Sequence, residues 1–262
     1  MKIQDRTFIV TGGASGLGLA TVQDFHSSGG YVSIWDMNAD TGAKLVDQLG
    51  SRAVFYEVDV TSTESIEAAV KKTMEWVGKT GKELAGVVAG AGVGNPAKMI
   101  DRNGDPITMD SIDFVLNINL RGTLDTVRQC VAHMAKNKPL TPDGERGVVI
   151  LVSSSAAFDG QPGQVSYAAS KGAVASMTLP MARDLARYGI RVVTIAPSLF
   201  ESRMTAMLGE KARKSLEKVM EFPVRAGKPE EFSRMVKEGV ENSMLNGTVI
   251  RLDGAMRMPS KM

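Results

Sequence analysis

The stretch Thr11-Gly12-Gly13-Ala14-Ser15-Gly16-Leu17-Gly18 decides the reading of this chain. It follows an apolar, β-branched run, Arg6-Thr7-Phe8-Ile9-Val10-Thr11, and leads into an amphipathic pattern over 16–28. A strand that turns through glycines into a helix brings backbone N–H groups and the positive end of the helix dipole to one point, which suits a pyrophosphate. Glycine at 12, 16 and 18 allows a tight turn, close ligand approach and close packing of helix on strand. Taken alone, the triplet also reads as an ordinary glycine turn.

Outward from this turn, short apolar runs alternate with longer amphipathic ones. Strands are expected near 6–11, 31–35, 53–58, 84–89, 147–153, 190–195 and 247–251, and helices over 16–28, 40–49, 63–78, 108–137, 166–188 and two shorter spans within 202–241. Alternation of this kind predicts an α/β architecture, a single Rossmann-type doubly wound domain over 1–262, with a seven-stranded parallel sheet and helices on both faces. Pro180 is expected to kink the helix that begins near Tyr167. Segments 92–107 and 138–146 are rich in Gly, Pro, Asn and Asp and read as loops. The first follows the carboxyl end of a strand, where a doubly wound sheet has its ligand crevice, and the glycines at 90–94 form a second edge of it.

Composition narrows the function classes. The 262 residues carry 31 Lys+Arg against 29 Asp+Glu, a net charge of +2, with both signs interspersed, so no nucleic-acid partner is expected. Apolar runs fall far short of the roughly 18 residues of a membrane span, and the first residues enter a strand pattern rather than a secretory leader, so no membrane partner is expected. One cysteine, Cys130, excludes an internal disulfide framework, fits a reducing compartment and reads as core packing. The only histidines, His26 and His133, fall in separate helices, which argues against a Ser-His-Asp hydrolase and against a metal site.

Asp36 ends the second strand about 20 residues beyond the glycine turn, where a carboxylate accepts hydrogen bonds from an adenosine ribose and repels a 2′-phosphate. No arginine lies close by, which favours NAD and makes NADP the weaker candidate. A helix cap is the other reading of Asp36, although Asn38 and Asp40 also suit that task. The fifth strand ends in Ser153-Ser154-Ser155, and thirteen residues beyond Ser154 begins Tyr167-Ala168-Ala169-Ser170-Lys171. Residues four apart share a helix face, so Tyr167 and Lys171 point the same way. A free phenol has a pKa of about 10, and a neighbouring cation favours its ionised form, so Tyr167 can exchange a proton with an alcohol. Taken separately, a serine triplet is common turn chemistry and a Tyr/Lys pair is common on inert helix surfaces.

The Gly-x-x-x-Gly-x-Gly turn after a strand-borne threonine, followed in order by Ser154 and Tyr167-x-x-x-Lys171, resembles the short-chain dehydrogenase/reductase family. The resemblance implies a catalytic set of Ser154, Tyr167, Lys171 and Asn119. In it Tyr167 is the general acid/base, Ser154 holds the substrate oxygen, and Lys171 also anchors the nicotinamide ribose. Asn119, within Leu116-Asn117-Ile118-Asn119-Leu120, matches the residue that orients the lysine through a water; it also reads as a helix-kinking polar residue. Cofactor contacts carried over are Gly12, Ser15, Gly16, Leu17, Gly18, Asp36, Asp59, Val60, Gly90, Tyr167, Lys171, Pro197 and Phe200. Asp59-Val60 also reads as a turn into the next helix. Gln164 is expected to face substrate beside Ser154 and Tyr167. Two departures stand out. Ala89-Gly90-Ala91-Gly92 replaces the family's asparagine-alanine-glycine segment, and Ser198 replaces the glycine after Pro197.

Stretches 11–21, 156–171, 177–185, 189–200 and 245–258 resemble one subgroup, the type 2 3-hydroxyacyl-CoA dehydrogenases, also known as 17β-hydroxysteroid dehydrogenase type 10. That implies NAD-dependent interconversion of 3-hydroxyacyl-CoA and 3-ketoacyl-CoA, with an acyl-CoA thioester as the small-molecule partner. The alternatives are a ketoreductase of a specialised biosynthetic pathway using NADPH or NADH, and a non-redox protein of this fold that binds the nucleotide. Lys98 and Arg102 read either as contacts for CoA phosphates or as solvated loop charges, and Met204, Met207 and Met220 fall where the family has a substrate lid. The resemblance also implies a homodimer or homotetramer. The last residues, Ser260-Lys261-Met262, resemble a peroxisomal address, so the peroxisomal matrix is expected, otherwise the cytoplasm.

Overall fold

A computed structural model of the chain describes residues 1–202, 205 and 216–258. Met204, Met207 and Ser260-Lys261-Met262 lie outside the described residues. Seven parallel strands form one sheet: β1 (Thr7–Thr11), β2 (Tyr31–Asp36), β3 (Ala53–Glu57), β4 (Leu84–Ala89), β5 (Gly147–Val152), β6 (Ile190–Pro197) and β7 (Thr248–Leu252). Their order is β3-β2-β1-β4-β5-β6-β7. The winding reverses between β1 and β4, so their carboxyl ends, Thr11 beside Ala89, open a crevice at the switch point.

All five residues of β1 are buried, as are all six of β4, which is why these strands read as unbroken apolar runs. Alternation then assigns side chains to opposite faces. Phe8 and Val10 join Phe25, Ile34 and Phe232 in one core, whereas Ile9 joins Trp35, Ile66, Cys130 and Met134 in the other. Covering helices are α1 (Gly16–Ser27), α2 (Ala39–Leu49), α3 (Thr63–Thr80), α4 (Met109–Leu116), α5 (Thr123–Met134), α6 (Val165–Ser176), α7 (Thr178–Leu185) and α8 (Pro229–Glu241). Among the described residues, no helix is long and apolar enough to cross a membrane, and no group of three or more His, Cys, Asp or Glu is placed to hold a metal.

Two helix expectations need correction, and a third falls largely outside the described residues. The helix expected over 108–137 is interrupted by a π-helical turn, Asn117–Gly122, between α4 and α5. The expected kink at Pro180 is a break instead: α6 ends at Ser176 and α7 starts at Thr178, with a 3₁₀ turn, Ala186–Tyr188, closing the segment. Pro180 is then the third residue of α7, where a missing N–H costs no intrahelical bond. Within 202–241 only α8 is among the described helices, and much of the remaining span lies outside the described residues.

Candidate active site

The glycine turn joins β1 to α1 by main-chain contact. Gly12 has φ +67°, and a Cβ added to Gly18 would lie 2.1 Å from the Gly12 carbonyl oxygen, so α1 seats on the turn only with glycine there. Ser15 occupies the N-cap of α1, but its hydroxyl makes no capping bond. The first-turn N–H groups have no partner within the helix, which leaves them free to bind an anion.

Asp36 ties this turn to the neighbouring strand. Its Oδ2 accepts the Ala14 N–H at 3.1 Å and its Oδ1 accepts the Asn38 N–H at 3.1 Å, while Asn38 itself caps α2 by accepting the Thr41 N–H at 3.0 Å. The cap thus belongs to Asn38, and Asp36 remains half-buried beside the turn. Asp59 Oδ1 accepts both the N–H and the hydroxyl of Thr61, at 2.8 and 2.7 Å, so Asp59-Val60 does form the turn into α3, with Val60 buried. After β4, the Ala91 N–H donates to the Thr11 hydroxyl at 3.0 Å, and a Cβ on Gly12 would lie 3.1 Å from the Ala91 Cα. Main chain and a threonine hydroxyl hold this edge where the family carries an asparagine.

Ser154 caps the 3₁₀ turn Ser155–Ala157, its hydroxyl accepting the Ala156 N–H at 3.1 Å. The neighbouring Ser153 hydroxyl donates to the Lys171 carbonyl at 2.7 Å, which docks α6 onto the end of β5. Lys171 is 6% exposed; its Nζ donates to the Val152 carbonyl at 2.9 Å and stands 6.0 Å from the centre of the Tyr167 ring. Burial depresses the Lys171 ammonium to about 8. Burial also pushes the Tyr167 phenol above its ordinary value, and the hydrogen bond with Ser154 only partly offsets this. The expected lowering of Tyr167 by Lys171 is therefore not the balance in the folded chain. Desolvation disfavours both charged forms, and the ammonium is engaged by Val152.

Asn119 explains the π-helical turn. Its Oδ1 accepts the Val93 N–H at 2.8 Å, and its Nδ2 donates to the Val93 carbonyl at 3.0 Å and to the Ser170 hydroxyl at 3.1 Å. The widened turn swings this fully buried amide onto the segment after β4 and onto α6. Gly92 lies between Asn119 and Lys171: a Cβ there would meet Asn119 Oδ1 at 3.2 Å and Lys171 Nζ at 3.3 Å.

Other expected positions divide. Gln164 precedes α6, and its amide oxygen accepts the Gln161 N–H at 2.9 Å, bracing its own turn. Pro197 ends β6 opposite Leu252, and the Ser198 N–H donates to the Leu252 carbonyl at 3.1 Å. The Phe200 ring packs in the core edge-on to Phe232, with centres 6.2 Å apart, and its carbonyl accepts the Thr205 hydroxyl at 2.6 Å. Leu17 packs against the same core, and Lys98 and Arg102 are exposed. Burial raises the Cys130 thiol to about 12, which makes it inert. Two residues of the site escape the sequence reading. Ser202 hangs over the turn, its Cβ 3.4 Å from where a Gly16 Cβ would sit, and Ser170 links Asn119 to the Tyr167 carbonyl. Position after β6 hints at Ser202, but nothing in the local sequence marks Ser170.

The short chain dehydrogenase family model matches residues 6–213. A 3-hydroxyacyl-CoA dehydrogenase type-2 of Drosophila melanogaster is 42% identical over 257 residues, covering 98% of this chain and 99% of the relative. The crystal structure of a 3-hydroxyacyl-CoA dehydrogenase type-2 from Mycobacterium avium superposes with TM-score 0.91 at 36% identity, all of each chain being covered. A Brucella melitensis 3-ketoacyl-(acyl-carrier-protein) reductase complexed with NADH gives TM-score 0.84 at 25% identity, over 98% of this chain and 100% of that one. On these matches the chain belongs to the short-chain dehydrogenase family, whose members are oxidoreductases that bind a nicotinamide cofactor and act on CH–OH groups.

Proposed function

We propose that this protein oxidises the secondary alcohol of a 3-hydroxyacyl-CoA with NAD, reversibly, with Tyr167 as general base and acid. The observation that carries the chemistry is the group of Ser154, Tyr167 and Lys171 just beyond β5 and on α6, with Ser154 and Lys171 buried, Tyr167 half-buried and its phenol hydrogen-bonded with Ser154. The acyl-CoA class rests on the names of the relatives. The glycine turn fits a dinucleotide because its crowding at Gly12 and Gly18 leaves main-chain N–H groups as its ligand surface. When bound, the nicotinamide supplies the hydride acceptor. Turn residues 12–18 hold the pyrophosphate, Asp36 the adenosine ribose and Lys171 the nicotinamide ribose. The Ser154 hydroxyl holds the substrate oxygen, and Tyr167 Oη takes its proton.

NAD is the expected cofactor because Asp36 is held in place by two N–H donors. A phosphate charge about 4 Å from a partly solvated carboxylate costs about 2–4 kcal/mol, or roughly 30- to 1000-fold in preference. The test is NADH formation, followed by absorbance, with 3-hydroxyacyl-CoAs of several lengths beside steroid and polyketide alcohols, each with NAD and NADP. Turnover of acyl-CoA with NAD is expected. Turnover confined to cyclic alcohols, or faster with NADP, overturns the corresponding part. We also propose a peroxisomal address in Ser260-Lys261-Met262 and a homo-oligomer. A reporter carrying the last ten residues that stays diffuse in cells removes the first, and a monomeric mass in solution removes the second.

A further inference from the structure

The end of β7 carries a charge cluster that none of the steps above uses. Arg251 Nε donates to Asp253 Oδ2 at 2.6 Å, and one terminal nitrogen donates both to Asp159 Oδ2 and, at 3.1 Å, to the Met256 carbonyl. Its guanidinium lies 5.2 Å from the centre of the Phe158 ring. Arg257 supports the same carboxylates, 3.2 Å from Asp253 and 4.0 Å from Asp159. The Arg251, Asp159 and Asp253 side chains are only 22%, 21% and 9% exposed, so these are shielded, charge-assisted bonds rather than surface pairs.

Phe158 and Asp159 sit in the loop that joins Ser154 to Tyr167. The Asp159 N–H donates to the Ser155 carbonyl at 3.0 Å, and at Gly160 a Cβ would lie 3.2 Å from the Cβ of Ala168, the residue after Tyr167. One side of the loop is therefore in contact with the serine end and the other with the tyrosine end. Arg251 reaches it from a strand two places away in the sheet. Only a planar fork can serve Asp159, Asp253 and a carbonyl while lying near an aromatic ring.

We propose that Arg251 is a positioning residue, which through Asp159 fixes the loop over 158–160 and with it the placement of Ser154 relative to Tyr167. This rests on the reading of those two residues as the reacting pair. Asp159→Ala removes the link and leaves the Arg251–Asp253 pair in place; Arg251→Ala removes both, and Arg251→Lys keeps the charge without the fork. For Asp159→Ala, kcat/KM is expected to fall about tenfold or more, mainly in kcat, with NADH affinity within about twofold of wild type. Amide exchange over 158–164 should quicken about tenfold while β1 and β4 stay protected. Arg251→Lys should recover only part of the loss seen in Arg251→Ala, and the double variant should be no worse than Arg251→Ala alone. Unchanged exchange in Asp159→Ala, or turnover and NADH affinity falling in parallel, overturns the proposal. If wild type oxidises no 3-hydroxyacyl-CoA, the substrate reading fails, and the exchange measurement still decides the role of Arg251.

Discussion

Gly18 offers the sharpest test of how the turn is built. Replacing it by alanine puts a Cβ 2.1 Å from the Gly12 oxygen and 2.7 Å from the Gly12 carbonyl carbon, both main-chain atoms that no rotamer change can clear. To restore a normal contact of about 3.4 Å, α1 must move more than 1 Å away from β1, and the N–H groups at its start move with it. Overpacking of this kind costs about 1–3 kcal/mol, and the same displacement acts on bound phosphate, so NADH affinity is expected to weaken about 5- to 150-fold. Gly78→Ala is the control. That glycine lies inside α3 with nothing within 4 Å of the methyl that alanine would add, so the substitution should raise stability by about 0.5–1 kcal/mol and leave NADH binding alone. NADH fluorescence titration and thermal melts on both variants separate the two effects. Gly18→Ala binding NADH within twofold of wild type would refute the argument that this contact sets the phosphate site.

Three further outcomes follow from the site. Tyr167→Phe should keep NADH affinity and lose about 10²–10⁴ in kcat, since only the proton-transfer group is removed; a rate within tenfold of wild type would assign the proton to another group. Asp36→Ala should weaken NAD and narrow its preference over NADP by about tenfold or more, read from the kcat/KM ratio of the two cofactors, and an unchanged ratio would contradict the assigned role. Lys171→Met should be inactive yet more stable at pH 7 by about 1–3 kcal/mol in thermal or urea melts. The sign follows from the ammonium being depressed to about 8 in the fold against 10.5 unfolded. Below about pH 8 the folded state carries the cost of a buried charge, and wild type recovers that stability as pH rises from about 8 to 10.5. The stability gap between wild type and Lys171→Met should therefore shrink over that range.

The sheet is legible in the sequence because its strands are buried on both faces. Runs such as Leu84–Ala89 carry no polar interruption, and the seven observed strands lie within two residues of the expected ends. The breaks in the helices are not legible in the same way. The π-helical turn at 117–122 exists because Asn119 reaches Val93, 26 residues away, and local propensity contains no record of that partner. In the site, the glycine spacing and the Tyr167–Lys171 interval are local and can be read directly. The direction of the Tyr167 shift cannot, since it depends on how much protein closes over the phenol and on how little the Ser154 hydrogen bond offsets that burial. The charge of Asp36 is plain in the sequence, while its second task of pinning the Ala14 N–H emerges only once β1 and β2 lie side by side.

Tyr167 and Lys171 are disfavoured in their charged forms by the same burial, and this has a mechanistic consequence. A phenol pushed upward gives up its proton reluctantly, so the phenolate that removes an alcohol proton needs positive charge brought close to Tyr167 Oη. Lys171 supplies it only if its ammonium stays protonated, and a value of about 8 places it near the edge of that condition at neutral pH. The Val152 carbonyl is the hydrogen-bond partner of the ammonium there, and Gly92 leaves the room that Asn119 Oδ1 and Lys171 Nζ both border. Asn119 is in turn held by Ser170 and Val93, so the widened helical turn, the glycine at 92 and the ionisation of Tyr167 are parts of one arrangement. Alcohol oxidation should accordingly rise with pH as the phenol ionises, until Lys171 loses its proton, and a side chain in place of Gly92 should displace the lysine and disturb both limbs of that profile together.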